Sequence, residues 1–106
     1  MGKRGDIWLA ALDPAVGAKI KKTRPCVVIS PREVHDHLRT VIVAPMTSGS
    51  REAGFRVPVK FRGVAGLVLL EQSRALDKRR LVKRLGAIPD AVLAQILKTL
   101  RDLYEE

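Results

Sequence analysis

The chain has 106 residues, enough for one domain with a single core, residues 1–106, and too few for two. Apolar types make up 46%, which excludes a disordered polymer. Twenty Lys and Arg against 11 Asp and Glu leave a net charge of +9, so a polyanion is the expected partner, because each neutralised phosphate releases condensed counterions. The plainer use of such charge is a solubility surface. The lone cysteine, Cys26, rules out an internal disulfide and a cysteine-based zinc site. Within Cys-Val-Val-Ile it reads as a small buried hydrophobe on a strand. No apolar run approaches the ~18 residues that span a membrane, and no apolar signal segment follows the basic N-terminus. The expectation is a protein of the reducing cytoplasm with no membrane contact.

Strand character dominates the first three quarters. Residues 6–12 alternate, with Ile7, Leu9 and Ala11 on one face and Trp8 and Leu12 on the other. Asp13-Pro14 closes this strand as a turn, and a basic loop with Lys19, Lys21 and Lys22 follows. Residues 24–30 are almost continuously apolar, the mark of a central strand buried on both faces. Pro31 opens a short helical turn through Glu33 and Val34. Residues 41–45 form a third strand, and Ser48-Gly49-Ser50 a loop. Residues 55–61 form a fourth strand, which Pro58 assigns to an edge or a bulge. Residues 66–71 are a fifth, with 72–76 extending it after a bend, and 83–87 are the last. From Pro89 the period changes to 3.6, with Val92, Leu93, Ile96, Leu97, Leu100, Leu103 and Tyr104 on one helix face. Pro89 and Asp90 suit its first turn. The pattern predicts a mainly β fold with a C-terminal α-helix, a small, strongly bent barrel with the helix on its side or end. An OB-type barrel is the nearest competitor.

The inventory of reactive groups is short. The only histidines stand in His35-Asp36-His37, a spacing that fits a metal but lacks further ligands; two exposed loop histidines are the preferred reading. No Ser-His-Asp pattern, phosphate-cradling glycine loop or paired-carboxylate motif is present. Chemistry must therefore use Arg, Lys, Thr, Ser or a lone carboxylate. That set points to phosphoryl transfer within RNA, whose 2′-hydroxyl supplies the nucleophile while the protein orients and stabilises charge. Three segments offer such groups: Lys22-Thr23-Arg24-Pro25, where proline fixes the backbone beside a guanidinium suited to phosphate; Pro45-Met46-Thr47-Ser48, with two hydroxyls after the third strand; and the polar run Glu71-Gln72-Ser73-Arg74 after Leu67-Val68-Leu69-Leu70. Each alone is ordinary: a surface arginine, a turn, a strand leaving the core.

In order along the chain, Arg-Gly-Asp-Ile-Trp, Asp-Pro-x-x-Gly, Thr-Arg-Pro-Cys-Val-Val-Ile-Ser, Pro-Met-Thr-Ser, Glu-Gln-Ser-Arg-Ala-Leu-Asp and a closing helix resemble the MazF/PemK family of toxin endoribonucleases, over residues 4–104. Thr-Arg-Pro before an aliphatic strand, with Gly-Asp-Ile-Trp upstream, is the specific part. The resemblance implies an SH3-like barrel with a C-terminal helix, of MazF/Kid/CcdB type, working as a homodimer without metal or other cofactor. It implies an mRNA interferase, the toxin of a type II toxin–antitoxin system, cutting single-stranded RNA at short sequences in mRNA, rRNA or tRNA. A cognate acidic, MazE-like antitoxin would hold it inactive. Carried over by residue, it places the catalytic arginine at Arg24 and the threonine at Thr47. Ser48, Gln72 and Arg74 are substrate-binding positions, and the loop of residues 13–22, with Lys19, Lys21 and Lys22, covers the groove. The Kid/PemK branch carries an arginine two residues before a catalytic acid; these positions read Leu69 and Glu71 here. The segment between Thr47 and the fourth strand is short, and Ser73 replaces a residue more often aliphatic or proline.

In the implied reaction Arg24 stabilises the phosphorane and protonates the leaving 5′-oxygen. A literal role as general base is harder to defend, since an arginine with a pKa above ~12 is almost never neutral. Thr47 donates to a non-bridging oxygen, and the products are a 2′,3′-cyclic phosphate and a 5′-hydroxyl. The alternatives are a CcdB-like gyrase-binding toxin acting through its C-terminal residues, and a non-catalytic nucleic-acid-binding barrel. Neither needs Arg24 and Thr47 together. Two basic clusters, Lys19/Lys21/Lys22 and Arg74/Lys78/Arg79/Arg80/Lys83/Arg84, are expected to serve RNA and the acidic antitoxin in turn.

Overall fold

A computed structural model describes residues 3–12, 23–49 and 51–105. Within them seven strands and two helices follow in the order β1 (Asp6–Ala11), β2 (Thr23–Val28), α1 (Arg32–His37), β3 (Thr40–Thr47), β4 (Arg56–Phe61), β5 (Val64–Leu69), β6 (Arg74–Asp77), β7 (Leu81–Ala87) and α2 (Asp90–Tyr104), with 3₁₀ turns at Leu70–Gln72 and Lys78–Arg80. The strands form one bent sheet in the order β4-β5-β3-β2-β1-β7, each antiparallel to its neighbours. β3 changes partner along one edge: residues 40–43 pair with β6 and residues 46–47 with β5. Pro45 falls in the gap between the two, where the ladder passes from one partner to the other. The ends of the sheet approach each other, since Arg62 Nη2 donates to the Leu85 carbonyl at 3.2 Å. The result is a mainly β half-barrel closed by a helix, the class expected from the sequence.

Alternation sorts the strand residues into two apolar clusters, one on each side of the sheet. Ile7, Val27, Ala44, Val68 and Leu70 form the larger, which α2 covers through the fully buried Ile96, with Val92, Leu93 and Leu100 around it. Cys26, Val28, Val43 and Leu76 form the other, with Trp8 and Leu12 packed against it. β2 contributes to both clusters, which is why its sequence is apolar without alternation. β4 is an edge strand, so Pro58 breaks no interior ladder.

Strand boundaries shift from expectation by one to several residues, and three differences bear on the site and the helix. β3 runs on through Thr47, so Met46 and Thr47 are strand residues paired with Val68 and Leu67, not a turn. The fifth strand ends at Leu69, and a 3₁₀ turn separates it from β6; Ser73 Oγ donates to the Leu70 carbonyl at 2.7 Å and closes that turn, which accounts for the serine. The helix stripe does not pack to its end, because Leu103 and Tyr104 remain 41% and 80% exposed.

The Arg-Gly-Asp-Ile-Trp segment is structural. Gly5 holds φ +93° beneath the Leu93 side chain of α2, a backbone conformation costly for other residues. Asp6 is buried and accepts from the Lys3 amide at 2.9 Å and from Arg84 Nη2 at 3.2 Å, and Arg4 Nε donates to the Ile29 carbonyl at 3.0 Å. Among the described residues no helix is long and apolar enough to cross a membrane.

Candidate active site

Cys26 lies opposite Pro45 at the end of the β2–β3 ladder, and the same antiparallel offset, carried two residues further, brings Arg24 to the level of Thr47. Residues facing each other across antiparallel strands share a face, as do alternate residues along one strand. Arg24, Cys26, Val43 and Thr47 therefore point to the side away from α2. On the other edge of β3, Arg74 lies opposite Val43 and shares that face. The Cys26 thiol registers both arginines: burial pushes it up to about 12, against the pull of the Arg24 and Arg74 charges. Cys26 is thus a neutral core group under two guanidiniums, and no nucleophile.

Arg24 and Arg74 are exposed, and Thr47 is half-buried at the strand end. Among the described residues no carboxylate lies within ion-pair distance of either arginine. Thr47 Oγ1 accepts from the Gly49 amide at 3.3 Å, which orients the hydroxyl and leaves its proton to donate. Beside it opens an apolar recess of about 430 Å³ lined by Pro25, Met46, Ser48, Phe61, Val64 and Gly66 among others. The Arg62 guanidinium lies 5.1 Å from the Phe61 ring centre. No sequence pattern marks out Phe61 or Arg62, since only the long-range pairing of β3 with β5 brings the β4–β5 hairpin to Thr47.

Of the site residues expected from the sequence, Thr47 (as catalytic) and Ser48 (as substrate-binding) line this recess, and Arg24 (as catalytic) and Arg74 (as substrate-binding) lie on the adjoining face. Gln72 is exposed at the end of the 3₁₀ turn leading to Arg74. Lys19, Lys21 and Lys22 lie outside the described residues. The second basic cluster is divided. Arg79 pairs with Asp77 at 3.0 Å, Arg84 pairs with Asp6, and Arg80 Nη1 donates to the Ala11 and Leu12 carbonyls, both at 3.3 Å. Hydrogen bonds from Arg79 hold Asp77 down at about 2. Arg74, Lys78 and Lys83 have no such ion pair among the described residues.

Glu71 is not the lone carboxylate that the leucine at position 69 suggests. β4 sets Arg56 opposite Leu69, and its guanidinium reaches Glu71, with Nε at 3.4 and 3.2 Å from Oε1 and Oε2 and Nη2 at 2.7 Å from Oε2. Partial burial pushes Glu71 up, but hydrogen bonds from Arg56 and a backbone amide, the Arg56 charge and the Gln72 amide outweigh it, leaving the carboxyl below its ordinary range. Of the histidine pair, the His35 side chain lies outside the described part, and His37 is exposed on α1. Among the described residues no three His, Cys, Asp or Glu are grouped to hold a metal.

Residues 3–104 match the family described as PemK-like, MazF-like toxin of type II toxin-antitoxin system. The chain is 38% identical to the endoribonuclease toxin ChpB of Escherichia coli K12 over 97% of its own length and 94% of that protein's. It is 36% identical to the Escherichia coli endoribonuclease PemK over 92% and 78% respectively. A crystal structure of MazE-MazF from Deinococcus radiodurans superposes with a TM-score of 0.77 at 28% identity, covering 96% of this chain and 93% of that one. With the half-barrel, the closing helix and the chain-long match in agreement, this protein belongs to the PemK-like, MazF-like family of toxins of type II toxin–antitoxin systems.

Proposed function

We propose that this toxin, acting as one MazF-like domain, is a metal-independent endoribonuclease of single-stranded RNA in which Arg24 and Thr47 act on the scissile phosphate. The reading is supported by the β2–β3 register, whose offset, continued past Cys26 and Pro45, carries Arg24 to the level of Thr47 at the open end of the two strands, with Arg74 on the same face as Val43. Two guanidiniums and a hydroxyl on one surface meet the needs of a phosphate gaining negative charge.

The RNA 2′-oxygen attacks phosphorus and forms the O2′–P bond as its proton leaves to water. The P–O5′ bond then breaks, and O5′ takes a proton from Arg24, which recovers one from solvent. Thr47 donates to a non-bridging oxygen, its orientation held by the Gly49 amide. Arg74 contacts a neighbouring phosphate, and Ser48 and Gln72 line the path. The apolar recess beside Thr47 suits the face of an unpaired base next to the cut. The protein acts in the cytoplasm as a homodimer, and an acidic MazE-like antitoxin competes with RNA for its cationic surface.

The test is cleavage of end-labelled single-stranded RNA in excess EDTA. Wild type should cut and leave 2′,3′-cyclic phosphate and 5′-hydroxyl ends. Arg24→Ala, at an exposed position, should fold normally and lose at least about a hundredfold in rate, as removal of one transition-state donor does. A folded Arg24→Ala protein within a few-fold of wild type removes the residue from the mechanism, and activity returning only with Mg²⁺ or Zn²⁺ removes the metal-free chemistry.

A further inference from the structure

The Arg56–Glu71 pair stands apart from the other ion pairs because it joins three segments. Arg56 opens β4, Glu71 lies in the 3₁₀ turn between β5 and β6, and Arg56 Nη1 also donates to the Arg51 carbonyl at 3.0 Å. The Arg56 amide donates to the Ala53 carbonyl at 2.9 Å, closing the same segment from its other end. All of these contacts converge on residues 51–55, the stretch that returns the chain from Thr47 at the end of β3 to β4. The opposite end of the pair is one residue from Gln72 and three from Arg74. The two side chains keep only 21% and 29% of their surface exposed, so the pair is screened less than a free surface bridge.

We propose that Arg56 and Glu71 are a positioning pair that fixes residues 51–55 beside Thr47 and Gln72, so that Glu71 serves substrate placement and not proton transfer. Both Glu71 oxygens accept from Arg56, which leaves the carboxylate poorly placed to take the 2′-hydroxyl proton. A fork-on-carboxylate contact fixes direction as well as distance, and the additional Arg51 carbonyl contact makes the guanidinium a three-way tie. This inference rests on the RNA-cleaving reading for what is placed, but the tie itself can be read without RNA.

The experiment compares wild type, Glu71→Gln, Arg56→Lys and the charge-swapped Arg56→Glu/Glu71→Arg protein, each checked for folding by circular dichroism. Exchange of the Arg56 amide, which donates to the Ala53 carbonyl and closes the segment, should accelerate at least about tenfold in Glu71→Gln and Arg56→Lys when measured without RNA. In steady-state RNA cleavage KM should rise about tenfold with kcat changed by less than about threefold. The kcat–pH profile of Glu71→Gln should keep the shape of wild type, and the charge swap should recover part of the lost affinity. The proposal is overturned by unchanged exchange, or by a hundredfold fall in kcat at constant KM with loss of the acidic limb, the signature of a proton-transferring carboxylate. If wild type cuts no RNA, the nuclease reading fails and substrate placement with it. Should cleavage occur without the exchange effect, only the positioning pair fails.

Discussion

Replacing Gly66 by alanine asks whether the placement of Thr47 governs the chemistry. A Cβ on Gly66 would stand 2.7 Å from the Thr47 carbonyl oxygen, 3.4 Å from its carbonyl carbon and 3.7 Å from Ser48 Cα. Ordinary contact begins at 3.4 Å, so the Thr47 peptide must withdraw by about 0.7 Å. The obstructing atoms are backbone at the end of the β3–β5 pairing, and no rotamer change relieves them. Overpacking of this kind costs about 1–3 kcal/mol, which lowers the melting temperature of a folded domain without abolishing it. Catalysis tolerates less, since a misplacement of about 1 Å can cost on the order of a hundredfold. Gly66→Ala should therefore cut single-turnover RNA cleavage by roughly tenfold to a hundredfold. The reference is Thr47→Val, which keeps the shape and removes the hydroxyl. Wild-type cleavage by Gly66→Ala beside a loss of about a hundredfold in Thr47→Val would refute the positional reasoning, and wild-type rates in both would remove Thr47 from the reaction.

Two further outcomes follow from charge. Reversing Lys19, Lys21 and Lys22 to Glu should weaken RNA binding at low salt and reduce the slope of log affinity against log salt by about 0.7 for each phosphate that the lysines no longer neutralise; an unchanged slope and affinity would assign the phosphates to Arg74, Lys78 and Lys83 instead. Asp6→Asn should destabilise the fold at pH 7 by about 1–3 kcal/mol, as loss of a buried acceptor does. Burial pushes the Asp6 carboxyl up, but hydrogen bonds and charge from Arg84 and Lys3 outweigh it and hold it below its ordinary range. A carboxyl lowered on folding contributes stability above its unfolded pKa of ~3.9 and loses it as pH falls through the folded value. The gap between the two melting temperatures should thus narrow below about pH 4, and a gap constant from pH 7 to 3 would show that Asp6 acts through shape alone.

Local chemistry made much of this protein legible in its sequence. Period-2 runs gave the strand faces, the unbroken apolar run of β2 gave a strand buried on both sides, and Pro58 gave an edge, because each depends on the immediate neighbours of a residue. The 3.6-residue stripe of α2 was equally plain, up to the last turn, where Leu103 and Tyr104 find nothing to cover them. Arg24, Thr47 and Arg74 could be named as candidates through the family resemblance of their segments, since each segment taken alone is ordinary. What brought them to one face was the register of β2, β3 and β6, a long-range pairing that no local pattern fixes. The same holds for Glu71. Its neighbours in sequence make it a carboxylate without a partner, and only the β4–β5 hairpin sets Arg56 across from Leu69 and within reach. The basic run of residues 74–84 carries the corresponding lesson for charge. Its sequence counts cations, but Asp6, Asp77 and the carbonyls of Ala11 and Leu12 engage three of them. Which charges remain available to a polyanion depends on groups far away in the chain, and the tertiary structure alone decides that.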